Sequence, residues 1–213
     1  MNSNNRVCLI WRRFFIMAKL AFYYSTMGAG KSTEAIKTYD IYKRKHLDPI
    51  VIKPIIDNRE GNFCGWGTAK SRITKEEIPA YYIKNVKEEL RTLEYGSIIV
   101  DEAQFLTRDD IIALAAIVDT QDVNVLAYGL KTDINGHLFS GSAALLEFAD
   151  EIKEIEMLCD EPNCMNKATH HLRYVNNIPD SSNETVAIEK DNVTYKSVCR
   201  WHWAKMKNIY SRR

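Results

Sequence analysis

The sequence contains little glycine and proline, no long uninterrupted apolar segment and almost no net charge. With 9 Gly and 5 Pro in 213 residues, it lacks the composition of collagen-like, linker-rich or broadly disordered chains. Arg12, Arg13 and Lys19 interrupt the longest apolar stretches, so nothing approaches the roughly 20 apolar residues of a membrane span. Lys and Arg total 29 against 28 acids, a net charge of +1, which argues against a main role in coating nucleic acid. We expect one sizeable core, or a core plus a small appendage, with no membrane attachment and no stable nucleic-acid partner.

Five cysteines, an odd number, lie at positions 8, 64, 159, 164 and 199. Because they are scattered and no signal peptide precedes them, they do not indicate a disulfide framework. A reducing, cytoplasmic compartment is therefore expected. The arginine pair near the N-terminus also breaks the apolar segment that a signal sequence needs. We interpret residues 1–16 as an N-terminal extension and Met17 as the start of the structured protein.

From Lys19 onward, short apolar runs alternate with helical segments. Strands are expected at 20–24, 50–53, 97–101, 123–129 and 151–157, and helices at about 31–45, 84–94, 107–120 and 142–149. Residues 54–75 show no clean period and contain three glycines, which predicts a long surface loop. Thr107 and Asp110 fit a capping box. The alternation indicates an α/β domain over residues 17–157, with a parallel sheet and right-handed crossovers.

The segment STMGAGKS, residues 25–32, directly follows the first strand and opens the first helix. Small residues let backbone amides converge on phosphate groups, and a helix N-terminus favours an anion. In this pattern Lys31 contacts the β- and γ-phosphates and the Ser32 hydroxyl ligates Mg²⁺. The other loop positions are Ser25, Thr26, Met27, Gly28, Ala29 and Gly30. The pattern has glycine where this chain has Ser25, and a plain turn before a helix is the alternative.

A second candidate site is SIIVDEAQF, residues 97–105. An apolar strand that ends in Asp101 places a carboxylate at the C-terminal edge of the sheet, where open α/β sheets bind ligands. Asp101 is expected to hold Mg²⁺ through water, and Glu102 is free to serve as a base. The alternative is a pair of helix-capping acids. Many nucleotide hydrolases share both segments, so these residues alone do not choose the reaction.

Metal-binding residue types cluster in the C-terminal region, 158–213, which we expect to form a small second unit with a basic C-terminal helix. Cys159 and Cys164 are followed by Cys199 and His202, a set suited to a closed, tetrahedral structural Zn²⁺ site. A unit with little core gains most from such a metal. His170 and His171 are competing ligands, although ATHHLRYV is typical of a strand. Unligated buried cysteines are the other alternative.

Together these residues resemble the type II thymidine kinases, and their bacterial and phage members most closely. The resemblance runs in colinear order over about residues 17–210, through YYSTMGAGKST, DNR at 57–59, VDEAQFL, LAYGLKTD with LF at 138–139, and YKSVCRWHW. DEAQF and the segment from Tyr195 to Cys199 are its most specific parts. Serine at position 25 is a common variant in that family. The resemblance implies a P-loop NTPase-like parallel sheet flanked by helices, plus a zinc-ribbon-like unit that carries a lasso loop.

The reaction that the resemblance implies is transfer of the γ-phosphate of ATP to the 5′-hydroxyl of thymidine, giving dTMP and ADP. Glu102 would be the general base on that hydroxyl. Residues 25–32 and the DEAQ segment, through Asp101 and Gln104, would handle ATP and Mg²⁺. A homotetramer, inhibition by dTTP and a cytoplasmic location, in the host if a phage encodes the chain, are implied as well.

The resemblance also implies which residues hold the nucleoside. Phe105 would lie against the thymine ring, and Met27, Leu130 and Tyr195 would surround the 5-methyl group. A lasso at about 186–195, including Ile188, would close over the base and bind it through main-chain groups.

Two features of this chain depart from the family pattern. The first cysteine pair is spaced more widely, so CDEPNC must bulge without losing the metal geometry. In the lasso, Glu189 and Lys190 follow Ile188 where the family has two glycines. Because glycine gives a backbone more freedom for close approach, thymidine affinity or the tolerance of other nucleosides is expected to differ.

Two other function classes compete with the kinase. DEAQ after an apolar strand also suits a helicase-like or packaging ATPase, although about 140 residues leave little room for a second lobe. The basic C-terminus suggests a zinc-stabilised nucleic-acid-binding module, whose affinity would depend on salt. ADP release that requires thymidine, and not nucleic acid, discriminates between them.

Overall fold

A computed structural model describes residues 18–55, 64–71, 73–180 and 192–209. Its main element is a seven-stranded sheet in the order β3-β4-β2-β5-β6-β1-β7. The strands are β1 (Leu20–Ser25), β2 (Pro49–Pro54), β3 (Gly65–Lys70), β4 (Glu77–Ile83), β5 (Ser97–Val100), β6 (Asn124–Leu130) and β7 (Glu151–Glu154). All neighbouring strands pair in parallel except β3 with β4. The expected α/β class with a mostly parallel sheet is confirmed.

Helices cover both faces of this sheet. They are α1 (Lys31–Arg44), α2 (Val86–Glu89), α3 (Arg108–Gln121) and α4 (Ser140–Phe148). Alternate residues of β5 point to opposite faces, so that Ile98 and Val100 pack with α3 and α4 while Ile99 packs with α1. The result is a three-layer domain with two apolar cores, one on each side of the sheet.

The capping box at the start of α3 is confirmed, since Thr107 and Asp110 exchange side-chain and backbone hydrogen bonds. The helix expected at 84–94 is much shorter, because it ends at Glu89 and continues only as a 3₁₀ turn over Leu90–Thr92. The strand expected at 151–157 ends at Glu154. No helix among the described residues is long and apolar enough to cross a membrane.

The expectation of one long loop over 54–75 is wrong, because β3 lies within it and pairs with β4, which the sequence pattern did not indicate. Pro79 makes β4 hard to recognise in the sequence, because proline has no N–H to donate to a sheet and therefore argues against a strand. It lies opposite Thr68 of β3, ahead of the stretch of β4 that also pairs with β2. The missing donor therefore falls where β4 has only one paired neighbour.

A second sheet lies near the C-terminus, with strands in the order β10-β8-β9. It consists of β8 (His170–Val175), β9 (Ile178–Pro179) and β10 (Val193–Val198), followed by α5 (Arg200–Met206). The strand expected from ATHHLRYV is confirmed. Asn176 and Asn177 both have positive φ, as the tight turn between β8 and β9 requires.

Candidate active site and metal site

The phosphate-loop sequence lies between β1 and α1, at the C-terminal edge of the large sheet. Gly28 and Gly30 have φ of 76° and 85°, values that side chains disfavour and glycine tolerates, and α1 begins directly after Gly30. The Lys31 ammonium donates to the Thr26 carbonyl at 2.6 Å, and the Ser25 hydroxyl donates to the Ile155 carbonyl. Helix α1 thus points its N-terminus at the loop, where an anion is stabilised.

Asp101 directly follows β5, which lies on the far side of β6 from β1. Its carboxylate Oδ1 lies 3.4 Å from the Ser32 hydroxyl, so the two sequence-predicted magnesium contacts are neighbours. Burial, followed by the charge of Glu102, raises the pKa of Asp101 to about 6. A hydroxyl and a buried carboxylate at the mouth of a phosphate loop suit Mg²⁺, which prefers oxygen ligands and stabilises the ionised carboxylate.

Glu102 adopts a left-handed backbone conformation, with φ 56° and ψ 37°. That conformation turns its side chain away from the path of β5 and towards Gln104, whose Nε2 donates to the Glu102 Oε2 at 2.6 Å. The Gln104 Oε1 accepts from the Leu130 amide at 3.0 Å. Gly129 makes room for this arrangement, since a Cβ there would lie 2.9 Å from the Gln104 Oε1. Gln104, only 1% exposed, therefore fixes Glu102.

These elements line one open cleft, whose empty volume of about 860 Å³ includes space that is open to solvent. Its sequence-predicted lining residues are Met27, Gly28, Gly30, Lys31, Ser32, Glu102, Gln104, Phe105, Leu130 and Tyr195. Four other predicted site residues do not line the cleft, although they lie close in sequence to residues that do: Ser25, Thr26, Ala29 and Asp101. Ile188, the DNR segment and most of the expected lasso fall outside the described residues.

Sequence reasoning missed seven lining residues, namely Thr33, Ser71, Ile73, Asp133, Ile134, Phe139 and His171. Phe139 could have been found, because it lies in the LF pair that contributed to the family resemblance. Its ring packs edge-on against Phe105, with ring centres 5.6 Å apart. Ser71 reaches the cleft by the β3–β4 turn, where it contacts the Thr33 hydroxyl at 2.9 Å.

The cleft has a polar end and an apolar end. Lys31, Ser32 and the loop amides form the polar end, at the N-terminus of α1. Phe105 and Phe139, with Leu130, Ile134 and Met27, form the apolar end. Glu102 lines the same cleft, so that a carboxylate, a phosphate loop and an apolar aromatic pocket belong to one site.

The small sheet and α5 each contact residues of the cleft. The Ser197 hydroxyl donates to the Met27 carbonyl at 2.6 Å, and the Trp203 indole donates to the Ile134 carbonyl at 3.1 Å. Both carbonyls belong to residues that line the cleft. The C-terminal region therefore contributes to the walls of the cleft as well as to the metal cluster beyond it.

Cys159, Cys164, Cys199 and His202 form the expected cluster, with all four potential ligand atoms within 4.8 Å of one another. The His202 Nδ1 lies 3.4 Å from the Cys159 sulfur and 3.3 Å from the Cys199 sulfur. Ligands of a tetrahedral Zn²⁺ stand about 3.5–3.8 Å apart, given Zn–S near 2.3 Å and Zn–N near 2.0 Å. The set therefore fits zinc, and the wide first cysteine spacing is accommodated.

The competing histidines lie elsewhere. His170 stacks on Trp203, with ring centres 4.3 Å apart, and bonds to the Thr169 hydroxyl. His171 bonds to the Thr132 carbonyl at 2.6 Å. Neither belongs to the cluster, so the alternative ligand set is excluded.

Comparison with known proteins gives a consistent result. The family model for thymidine kinase matches residues 18–203. The chain is 38% identical over 205 residues to a thymidine kinase of Rhodopirellula baltica, covering 92% of each. It is 36% identical over 196 residues to that of Legionella pneumophila strain Lens, covering 89% of this chain and 90% of the relative.

Similar solved structures are more distant. One is the Pif1 helicase from Candida albicans, at a TM-score of 0.38 and 14% identity, covering 73% of this chain and 39% of the helicase. Another is the genome packaging NTPase B204 from Sulfolobus turreted icosahedral virus 2, in complex with ATP-gammaS, at 0.39 and 16%, covering 70% and 79%. These scores are too low to support an inference about this chain.

Proposed function

The chain belongs to the thymidine kinase family, and we propose that it transfers the γ-phosphate of ATP to the 5′-hydroxyl of thymidine, giving dTMP and ADP. One observation carries this proposal: Glu102 lines a single cleft together with the phosphate loop and the aromatic pair Phe105 and Phe139. Phosphoryl transfer requires mainly that the reacting groups be positioned and their charge neutralised, and this arrangement can do both.

In the proposed reaction the phosphate chain of ATP lies over residues 25–32. The loop amides and Lys31 neutralise the charge that develops on the transferred group. To do so, the Lys31 ammonium leaves the Thr26 carbonyl and turns to the phosphates. Ser32 and Asp101 would hold Mg²⁺, which supplies further charge neutralisation when bound.

Thymidine occupies the apolar end in this proposal. The thymine ring lies between Phe105 and the side chains of Met27 and Leu130, with Tyr195 beside it. The ring of Phe139 packs edge-on against Phe105 and supports it. Glu102 accepts the proton of the 5′-hydroxyl as that oxygen attacks the γ-phosphorus. The hydrogen bond from Gln104 keeps the Glu102 carboxylate in one orientation, so that the other carboxylate oxygen faces the cleft.

Four finer points are part of the same proposal. Residues 17–157 would form the nucleotide-binding domain and residues 158–213 a unit held by Zn²⁺ on Cys159, Cys164, Cys199 and His202. We also propose, from the family alone, feedback by dTTP, a homotetrameric assembly and a cytoplasmic location. The base and the phosphates of dTTP would match the apolar end and the polar end of the cleft.

The test measures ADP release with ATP and Mg²⁺ in the presence of thymidine, each other deoxynucleoside or single-stranded DNA. We expect turnover to require thymidine and to fall by about 10²–10⁴-fold in Glu102→Gln. Glu94→Gln, at an exposed position, is the matched control and should keep full activity. Turnover that responds to DNA and ignores thymidine would replace the kinase by a motor ATPase.

A further inference from the structure

Two directly paired residues on neighbouring strands of the small sheet both contact segments that line the cleft. His171 of β8 pairs directly with Ser197 of β10. Ser197 bonds to the phosphate loop at Met27, whereas His171 bonds to Thr132, just after β6. Thr132 lies within residues 130–134, here called the pocket wall, of which Leu130, Asp133 and Ile134 line the cleft. The pair thus contacts both the phosphate loop and the pocket wall.

The hydrogen bond to Thr132 fixes the tautomer of His171. A carbonyl oxygen can only accept, so the His171 Nε2 carries the proton and Nδ1 is left with a lone pair. His171 is 2% exposed, and burial lowers its pKa to about 4, so the ring is neutral near pH 7. Within the described parts of the chain, Nδ1 is a buried nitrogen with no hydrogen-bond partner.

A complementary group lies close by on the phosphate loop. The Thr26 hydroxyl is buried and, among the described residues, also has no hydrogen-bond partner. Thr26 and His171 line the same narrow cavity, which has no space for a water molecule. One group can donate and the other can only accept. Because orphaned buried polar atoms are costly, their simplest resolution is a bond between them.

Lys31 restrains Thr26 in the observed conformation, because its ammonium group donates to the Thr26 carbonyl at 2.6 Å. Nucleotide phosphates compete for the same ammonium group. We therefore propose that His171 is a positioning residue that couples nucleotide binding to the thymidine pocket, by accepting a hydrogen bond from Thr26 once phosphates draw Lys31 away, while its other nitrogen holds Thr132 and the pocket wall. The proposal rests on the proposed function, since it concerns the same two substrates.

The experiment measures the dissociation constant of thymidine by calorimetry, with and without Mg²⁺ and a non-hydrolysable ATP analogue. In the unsubstituted chain the analogue should tighten thymidine binding about threefold to tenfold, the range that one buried hydrogen bond supplies. Thr26→Val removes the donor at equal volume. His171→Phe keeps a ring of similar size and removes both nitrogens, including the acceptor. Each should bring the ratio close to one, and the double variant should match the single variants. Thr26→Ser, which keeps the hydroxyl, should retain the coupling.

A measurement on the unsubstituted chain guards against variants that fold poorly. The ¹⁵N resonance of the His171 Nδ1 should shift on addition of the analogue alone, as expected when a bare nitrogen gains a donor. An unchanged resonance, a thymidine affinity indifferent to the analogue, or effects of Thr26→Val and His171→Phe that add in the double variant would each overturn the coupling. If thymidine-dependent ADP release is intact in those cases, the kinase assignment stands. A chain that binds no thymidine overturns both.

Discussion

Gln104 offers a direct test of how Glu102, the proposed catalytic carboxylate, is held in place, and the change we consider is Gln104→Leu. The two side chains are similar in size, so the substitution removes hydrogen bonds with little change in packing. It leaves the buried Leu130 amide without its acceptor, at a cost of about 1–3 kcal/mol. For a chain of this length about 2 kcal/mol corresponds to a fall in Tm of roughly 4–8 °C. The protein should remain folded.

The effect on catalysis should be larger than the effect on binding. The 2.6 Å hydrogen bond from Gln104 to Glu102 is charge-assisted, and such bonds contribute about 1.5–3 kcal/mol. Without it Glu102 samples orientations that do not face the 5′-hydroxyl, so kcat should fall roughly 10–100-fold. The KM values for thymidine and ATP should change less, because the aromatic pocket and phosphate loop are intact.

Steady-state kinetics of Gln104→Leu, Glu102→Gln and the double variant separate this role from general damage. If Gln104 acts through Glu102, its substitution should add almost nothing to kcat once Glu102 is already glutamine. The matched control is Gln121→Leu, at the exposed end of α3, which should leave kcat unchanged. Independent, multiplying effects of the two substitutions would refute the reasoning.

Three further predictions concern the metal, the buried acid and the close packing behind the site. We expect the purified chain to carry one equivalent of zinc and Cys199→Ser to carry none. This variant, or treatment with a chelator, should speed amide exchange in β8 and β10 at least about tenfold, while β5 and β6 keep their protection. Cys64→Ser should change neither the zinc content nor the exchange. Because the folded-state pKa of Asp101, about 6, lies above its ordinary 3.8, folding favours its protonated form. Asp101→Asn should therefore raise the free energy of unfolding by roughly 2–3 kcal/mol at pH 7.5, and this advantage should fade as pH drops through 6 to 4 in urea titrations without Mg²⁺. Gly141→Ala would place a Cβ 2.5 Å from the Ala103 carbonyl, so it should lower the free energy of unfolding by about 1–3 kcal/mol and also lower kcat. The control is Gly96→Ala at the other end of β5, where the added Cβ would lie 2.7 Å from the Leu47 carbonyl. It should destabilise the protein without lowering kcat per folded molecule.

The features that could be predicted from the sequence are those whose cause lies within a few residues. The capping box of α3 needs only Thr107 and Asp110, and the phosphate loop needs only a strand, two glycines and Lys31 before a helix. The buried strand before Asp101 is likewise recognisable from four consecutive apolar or small residues. In each case the neighbours in sequence are the neighbours in space.

The features that were missed depend on distant pairing. Strand β3 is defined by its antiparallel partner β4, and its own glycines and exposed Trp66 carry no strand period. His171 was correctly placed on a strand, but its contact lies 39 residues away at Thr132. The role of Gln104 depends on Leu130, 26 residues away, and on the space left by Gly129. Local patterns do not contain these distances.

The left-handed backbone of Glu102 has a consequence for how this protein can change by mutation. A residue with a side chain pays roughly 1–2 kcal/mol for that conformation, which glycine adopts freely. Replacement by glycine would therefore relax the backbone at the position of the proposed general base. Variants selected only for thermal stability would tend to drift towards inactivity here, so a stabilisation programme should hold Glu102 and its neighbours Gln104 and Gly129 fixed and seek its gains on the exposed faces of α1 and α3.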